Sequence, residues 1–229
     1  MSQSSVVVIA CRVLDDLLSR ITPEGLVRQV ILTDYGLHRQ PDRLRETVQQ
    51  AVDGIQEPSL VVLGYGLCGN GLSGIRAGRH TLLIPRADDC IALLLGSYEA
   101  YQRESAAVPG TYYLSRGWLE SECHPLREFE EYVEKYGPKD AAWILDMQYQ
   151  HYERLLLVAH NQSDLDRYRP QAQRVARFCE RWSMRYEELL GSDAYVRRLV
   201  AKAADLDLRD DDLIVVAPGG QISQEQFLR

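Results

Sequence analysis

Short runs of apolar, mostly β-branched residues alternate along the chain with longer stretches in which apolar residues recur every three or four positions. The first pattern is typical of buried strands and the second of amphipathic helices. Their alternation predicts an α/β fold of mainly parallel sheets flanked by helices. The predicted strands cover residues 5–10, 28–33, 60–64, 80–85, 111–115, 154–159, 184–189 and 213–218. The predicted helices cover residues 14–20, 41–54, 90–105, 124–136, 139–151, 164–182 and 192–204.

Two of the predicted helices, on either side of Gly137 and Pro138, follow one another without a strand between them. We interpret this break as the connection between two Rossmann-like lobes that pack around a cleft in one compact unit. The first lobe would then cover residues 1–118, the helical connection 119–152 and a smaller second lobe 153–229. The glycine loop APGGQIS follows the last predicted strand, so we expect it on the carboxyl edge of the second lobe, across the cleft from the first.

Composition and charge narrow the class of protein. The 229-residue chain is 45% hydrophobic and 26% charged, with a formal net charge of −7, which is typical of a globular domain. Because it has no concentrated basic face, we expect it to bind neither nucleic acid nor an anionic membrane. The apolar run near the N-terminus is too short for a signal or membrane-spanning segment, which predicts a cytoplasmic protein.

The five cysteines are an odd number in a chain predicted to be cytoplasmic, so we expect thiols or metal ligands rather than disulfides. Cys11, Cys68 and Cys90 each follow a predicted strand closely, and the carboxyl edge of a parallel sheet is where such folds place ligands. Three thiolates leave one position open on a tetrahedral Zn²⁺ ion or on an iron–sulfur cluster. We predict such a metal site here; simple packing of buried thiols is the alternative.

Other residues at the same predicted edge extend this site. Asp88, Asp89 and His38 are candidates for a fourth metal ligand. Glycine amides and Asn70 in the loop GYGLCGNG, two arginines, two carboxylates and a tryptophan are the groups we expect to bind a small-molecule substrate. The predicted substrate-binding set is Gly66, Gly69, Asn70, Gly71, Arg86, Asp88, Asp89, Arg116 and Trp118.

The same glycine loop also satisfies the dinucleotide fingerprint GxGxxG through Gly64, Gly66 and Gly69, with Asp88 at the expected distance downstream. An enzyme that binds NAD(P) or another nucleotide is therefore an alternative. Against it, the segment NGLSGIRAGR that connects the loop to the next predicted strand is short and contains three glycines. A crossover helix that could hold a pyrophosphate at its N-terminus needs a longer and less interrupted run.

Four segments, GYGLCGNG, PRADDCIALLLGS, TYYLSRGWLE and the tail from ELLGSDAYVRRLV to VVAPGG, give the chain its resemblance to the uncharacterised family called domain of unknown function 1638. Members of that family are commonly encoded near corrinoid-dependent methyltransferases. The resemblance therefore implies a role in one-carbon or methylamine metabolism, with a corrinoid or methyltransferase protein as a partner. The family's cysteine positions match Cys68 and Cys90, and Cys11 lies at the usual first-strand position; Asp88 stands where a histidine is frequent.

Taken together, these features predict a metal-binding protein that acts on or holds a small molecule, and, if it is an enzyme, a metal-dependent transferase. A non-catalytic accessory protein of a methyltransferase system is a further alternative.

Overall fold

The computed structural model describes residues 5–229 and contains two kinds of element in alternation. The strands are β1 (Ser5–Cys11), β2 (Val27–Thr33), β3 (Ser59–Gly64), β4 (Thr81–Pro85), β5 (Thr111–Ser115), β6 (Arg154–Ala159), β7 (Arg185–Leu190) and β8 (Leu213–Val216). The α-helices are α1 (Asp15–Ile21), α2 (Pro41–Asp53), α3 (Ile91–Leu95), α4 (Tyr98–Ala107), α5 (Arg116–Glu120), α6 (Pro125–Tyr136), α7 (Pro138–Tyr149), α8 (Gln162–Cys179) and α9 (Ala194–Ala204). No helix in this part of the chain is both long enough and apolar enough to cross a membrane.

The strands form two sheets, which confirms the predicted α/β class with mainly parallel sheets. The first sheet has the order β2-β1-β3-β4-β8, in which only β8 runs antiparallel to its neighbour. The second sheet has the order β5-β6-β7 and is entirely parallel. The apolar runs of β1, β3, β4 and β6 are the continuous hydrophobic segments expected of strands buried on both faces, whereas β2 and β7 are partly exposed.

The chain divides into two compact units, one made of residues 1–98 with 192–229 and the other of residues 99–191. In the first unit, odd-numbered side chains of β1 and β3 face a core that α2 closes with Leu44, Val48 and Val52. The apolar stripe of α2 thus buries the face of the sheet on which, as described below, the candidate site lies. Helix α9 packs against β3 and β4 and also contacts α1 and α3.

The second unit has its own core. Helix α8 packs along β6 and β7, and α6 contacts both α7 and α8. Leu155 and Leu157 of β6 meet Leu145, Ala172 and other apolar side chains of these helices.

The observed division corrects the predicted boundaries at 118 and 152. Strand β5 pairs with β6, so it belongs to the second unit, and the helices between residues 116 and 153 connect two neighbouring parallel strands. Parallel strands need a long crossover connection, and this helical stretch supplies it rather than linking two lobes.

A second correction concerns the end of the chain. Strand β8 pairs antiparallel with β4, with Leu213 opposite Pro85 and Val216 opposite Leu82. The loop APGGQIS therefore leaves β8 at the amino-terminal end of β4 and belongs to the first unit. It lies at the opposite end of β4 from the predicted cysteine edge, where its backbone bonds residues 74–78.

The predicted helix over 90–105 is two helices. Gly96 ends α3 with a φ of 94°, and a Cβ atom there would lie 2.4 Å from the Cβ atom of Ser192. A left-handed residue in so tight a contact requires glycine, and it breaks the helix at this point.

Candidate functional site

Three side chains form a row across the carboxyl end of the first sheet. Cys11 pairs with Thr33 of β2, and Ala10 pairs with Gly64 of β3, so Tyr65 continues the row on the other side of Cys11. Because side chains alternate along a strand, these three residues point to the face that carries the α2 core.

The hydroxyl groups of Tyr65 and Thr33 form a hydrogen bond with each other. Their strands, β3 and β2, lie on either side of β1, and two strand spacings amount to roughly 10 Å. The tyrosine side chain therefore crosses the end of β1, where Cys11 lies. Tyr65 and Thr33 are 2% and 6% exposed, so this pair is a buried polar contact at the centre of the candidate site.

Cys68 is positioned by a left-handed turn in the glycine loop. Cys68, Gly69 and Asn70 have φ angles of 50°, 62° and 68°. The Gly71 amide closes the turn by donating to the Cys68 carbonyl oxygen at 3.1 Å. Glycine suits the middle of such a turn because it has no Cβ atom to clash, whereas a cysteine with positive φ is uncommon.

The glycine loop is joined to the loop that carries Cys90. The amides of Leu67 and Cys68 donate to the carbonyl oxygens of Ala87 and Asp88, both at 2.8 Å. A Cβ atom on Gly66 would lie 2.6 Å from the backbone of Asp89, so this glycine allows the two loops to touch. The backbone thereby brings Cys68 and Cys90 together.

The thiols interact electrostatically. Burial raises the pKa of Cys68 to about 12, and the negative charges of Asp89 and Cys11 act in the same direction. Burial also raises the pKa of Cys90 well above its usual range, with further increases from Cys68, Cys11 and Asp89. Backbone hydrogen bonds from Gly66 and Cys90 to Cys68 lower its pKa but do not outweigh burial. Both thiols are thus neutral and protonated at physiological pH.

Tyr65 is coupled to all three cysteines. Burial raises its pKa well above the usual range; its hydrogen bond with Thr33 opposes that rise, and the charges of Cys11, Cys68 and Cys90 add to it. The tyrosine is therefore a neutral hydroxyl group at ordinary pH, close to each thiol.

Cys68 lies close enough to Cys11, and Cys90 close enough to both, for the neighbouring charges to raise its pKa, but the three side chains do not form a metal-ligand set. Within residues 5–229, no group of three or more histidine, cysteine, aspartate or glutamate side chains is arranged so that it could hold a metal ion. A metal at this position would require the thiols to lose their protons and their side chains to turn towards one another.

The predicted fourth ligands differ in their placement. The Asp89 carboxylate accepts a hydrogen bond from the Ile91 amide at 2.8 Å, at the start of α3, and it lies close enough to raise the pKa of Cys68. Asp88 and His38 are exposed. Of the three, Asp89 is the carboxylate that is coupled to the cysteines.

The remaining residues of the predicted substrate set in the first unit have mixed positions. A Cβ atom on Gly71 would lie 2.6 Å from Leu44, so this glycine allows the loop to pack on α2. Gly69 and Asn70 are exposed at the tip of the turn. Arg86 donates a hydrogen bond to the carbonyl oxygen of Leu228, which ties it to the end of the chain.

Arg116 and Trp118 belong to the second unit, in α5 after β5. Arg116 pairs with Glu120 at 3.1 Å, and Trp118 packs against the second core. Their predicted place on the cysteine edge followed from assigning β5 to the first lobe, and the pairing of β5 with β6 removes the basis for it.

The nucleotide alternative lacks its main structural element. Residues 65–80, which connect β3 with β4, contain turns but no helix. The glycines of the fingerprint are therefore not followed by a helix N-terminus, which is the group that binds a pyrophosphate. A Cβ atom on Gly64 would lie 2.6 Å from the Cβ atom of Ala10, so packing between β3 and β1 accounts for this glycine.

Sequence reasoning missed Thr33 and Tyr65. Both occur where a predicted strand ends, in the segments ILTD and LGYG. The sequence does signal them, because each is a polar residue at a strand end in a position whose side chain faces the core. Recognising that they form a row with Cys11, however, requires knowledge of which strands pair and in which register.

Comparison with known proteins confirms the family resemblance. The family model described as "Protein of unknown function (DUF1638)" matches residues 32–200, and the chain belongs to this family. The matched range contains Cys68 and Cys90 and begins after Cys11. No curated protein and no solved structure matches the chain.

Proposed function

We propose that this member of the DUF1638 family binds a thiophilic metal centre, Zn²⁺ or an iron–sulfur cluster, through Cys11, Cys68 and Cys90. The observation that supports the proposal is the electrostatic coupling of three thiols that come from three separate strand ends. Three cysteine ligands leave an open position for a substrate, as in catalytic rather than structural sites.

Binding would change the protonation of the site. Thiolates, not thiols, are metal ligands, and Cys68 and Cys90 are protonated in the metal-free protein. Metal uptake must therefore release protons, and the affinity should rise with pH. It should also draw the three side chains into a ligand geometry that they lack without the metal.

An open position next to an exposed loop suits a small molecule. A bound Zn²⁺ ion would lower the pKa of a coordinated thiol or other methyl acceptor and so make it a nucleophile at neutral pH. This would make the protein a metal-dependent transferase in corrinoid-linked methyl-transfer metabolism. The transferase role is supported by the family resemblance alone. The same resemblance supports equally well an accessory protein that carries the metal site and binds a methyltransferase partner.

The proposal is tested by elemental analysis of protein purified without oxygen. We expect about one zinc or about four irons per chain in the wild type, and loss of that metal in Cys90→Ser. Cys179→Ser is the matched control, because Cys179 is a buried cysteine in the core of the second unit. It should keep its metal.

Circular dichroism of each variant establishes that the fold is retained. A wild-type protein without stoichiometric metal, or full metal content in both Cys68→Ser and Cys90→Ser, would contradict the proposal.

A further inference from the structure

A small cavity in the second unit lies between the first half of α6 and helix α8. Its volume is about 120 Å³, which is the space of roughly four water molecules. One wall is formed by α6 and the residues just before it, including His124 and Leu126, and the other by Arg174 and Val175 of α8. None of the lining residues belongs to the cysteine site.

His124 is the buried polar group of this cavity. Its side chain is 6% exposed, and as the N-cap residue of α6 it accepts a hydrogen bond at Nδ1 from the Arg127 amide at 3.2 Å. Burial lowers the pKa of His124, although Glu122, its own backbone oxygen and Glu130 oppose the shift, so the ring is neutral at physiological pH. A neutral ring whose Nδ1 atom accepts a hydrogen bond carries its proton on Nε2.

The Nε2–H group of His124 is the polar group that the ring presents to the cavity. Within residues 5–229 no other group forms a hydrogen bond to Nε2, yet this atom is not sealed from solvent. The carbonyl oxygen of the same residue is too far from Nε2 to reach it, because it lies on the Nδ1 side of the ring. Since Nδ1 is turned to the start of the helix, the cavity that His124 lines receives the Nε2–H donor.

Two further donors adjoin the same cavity. In the described chain the Leu126 amide has no acceptor, because it lies in the first turn of α6, between Pro125, which has no N–H group, and the capped amide of Arg127. The N-terminus of a helix attracts negative charge. On the opposite wall Arg174 is exposed and forms no ion pair with a described residue. A buried N–H group, a helix amide and a guanidinium group thus meet at one cavity.

The charges of the lining select among anions. Glu122 and Glu130 also line the cavity, and both hold Arg127, with N–O distances of 3.5 and 3.2 Å. Two arginines and two glutamates cancel while His124 is neutral. A singly charged ligand therefore fits better than a dianion, which two carboxylates would repel. A carboxylate group also has the planar pair of oxygens that a guanidinium group binds best.

We propose that this cavity binds a free short-chain carboxylate, of the size of acetate or propionate. The carboxylate accepts hydrogen bonds from His124 Nε2 and from Arg174 at the N-terminus of α6. Its alkyl chain packs against Leu126 and against Val175, which is 1% exposed. The volume of the cavity limits that chain to a few carbon atoms. This site is independent of the proposed metal site, because the two have no residue in common.

The test is a titration of the full ¹⁵N-labelled chain with sodium acetate at pH 7 and constant ionic strength, in which NMR follows the Nε2–H groups of the histidines. The resonance of His124 is the one that is missing from His124→Asn. Asparagine is among the most favoured N-cap residues, so this variant keeps the start of α6 but is too short to replace the Nε2 donor. Arg174→Gln removes the guanidinium group. Arg177→Gln, three residues further along α8 and outside the cavity lining, is the control.

We expect acetate to shift the His124 resonance of the wild type in a saturable way. Each of the variants His124→Asn and Arg174→Gln should bind acetate about 10- to 100-fold more weakly, because each loses a hydrogen bond to a charged group. Binding to His124→Asn is followed through backbone amide resonances of α6. The Arg177→Gln control should match the wild type.

Three outcomes would overturn the inference. The first is a wild type in which neither acetate nor propionate causes a saturable shift. The second is an affinity of Arg174→Gln equal to that of Arg177→Gln. The third is tighter binding of inorganic phosphate than of acetate, which would contradict the charge argument. Should His124→Asn fail to fold by circular dichroism, Arg174→Gln decides, because its side chain is exposed.

Discussion

The contact between the two loops that carry Cys68 and Cys90 depends on Gly66, and Gly66→Ala tests it. The added methyl group would lie 2.6 Å from three backbone atoms of Asp89, about 1 Å closer than carbon atoms pack. Backbone atoms cannot rotate away, so the loops must separate. The two hydrogen bonds of 2.8 Å from Leu67 and Cys68 to Ala87 and Asp88 would then weaken.

The magnitude follows from these two effects. Each lost backbone hydrogen bond costs about 1 kcal/mol net, and overpacking a tight site costs about 1–3 kcal/mol. We expect Gly66→Ala to lower the free energy of unfolding of the first unit by about 3–5 kcal/mol. All three tryptophans lie in the second unit, so their fluorescence does not report on the first. Native-state hydrogen exchange of the β3 amides is the appropriate assay.

Gly78→Ala is the matched control for a glycine of the same connection. Gly78 has a φ of +56°, and a Cβ atom there would meet nothing within 4 Å. This variant should lower the free energy of unfolding by only about 1 kcal/mol, which is the cost of holding alanine in a left-handed conformation. If Gly66→Ala destabilises the first unit no more than Gly78→Ala does, the two loops are not held together as described here.

Two further predictions concern protonation. Because burial raises the pKa of Cys68 to about 12, its thiol in the metal-free protein should react with iodoacetamide at pH 8 about a thousandfold more slowly than an ordinary thiol. Peptide mass spectrometry should find Cys68 labelled rapidly only after the protein is unfolded. Rapid labelling of the native protein would contradict the raised pKa. Burial raises the pKa of Asp212, but hydrogen bonds from Arg198 and Arg229, at 2.6 Å each, outweigh it and lower the pKa. The stability that Asp212 contributes is therefore present at neutral pH and lost as the pH falls through its folded-state pKa. Asp212→Asn should lower the free energy of unfolding by about 1–2 kcal/mol at pH 7 and by progressively less below pH 4; a difference that does not depend on pH would refute this explanation.

Much of the fold could be predicted from the sequence because the central strands β1, β3, β4 and β6 are buried on both faces. A parallel strand such as SVVVIA is apolar throughout, so its pattern is recognisable without knowledge of its neighbours. The pattern does not say which strands pair. Strand β8 has only four residues and β5 follows β4 in the chain, so neither the antiparallel pairing of β8 nor the pairing of β5 with β6 could be deduced from periodicity.

The convergence of the cysteines could be predicted because it depends only on where strands end. The function of the glycines could not be predicted in the same way. Gly66 was predicted to help bind a substrate, yet the group that approaches it closely is the backbone of Asp89. Sequence shows that a glycine permits a close contact; it does not show the contacting group, which here comes from a loop more than twenty residues further along the chain.

Whether the thiols only pack or also bind a metal is decided by the protonation that each role requires. Buried cysteines are ordinary core residues, and raised pKa values alone agree with that role. Metal ligation needs thiolates, whereas packing is compatible with protonated thiols. If the thiols only pack, the metal content should change neither with pH nor in Cys90→Ser. If they bind a metal, Cys90→Ser should lose it and the affinity of the wild type should rise with pH, because metal uptake must release the protons that burial holds on Cys68 and Cys90.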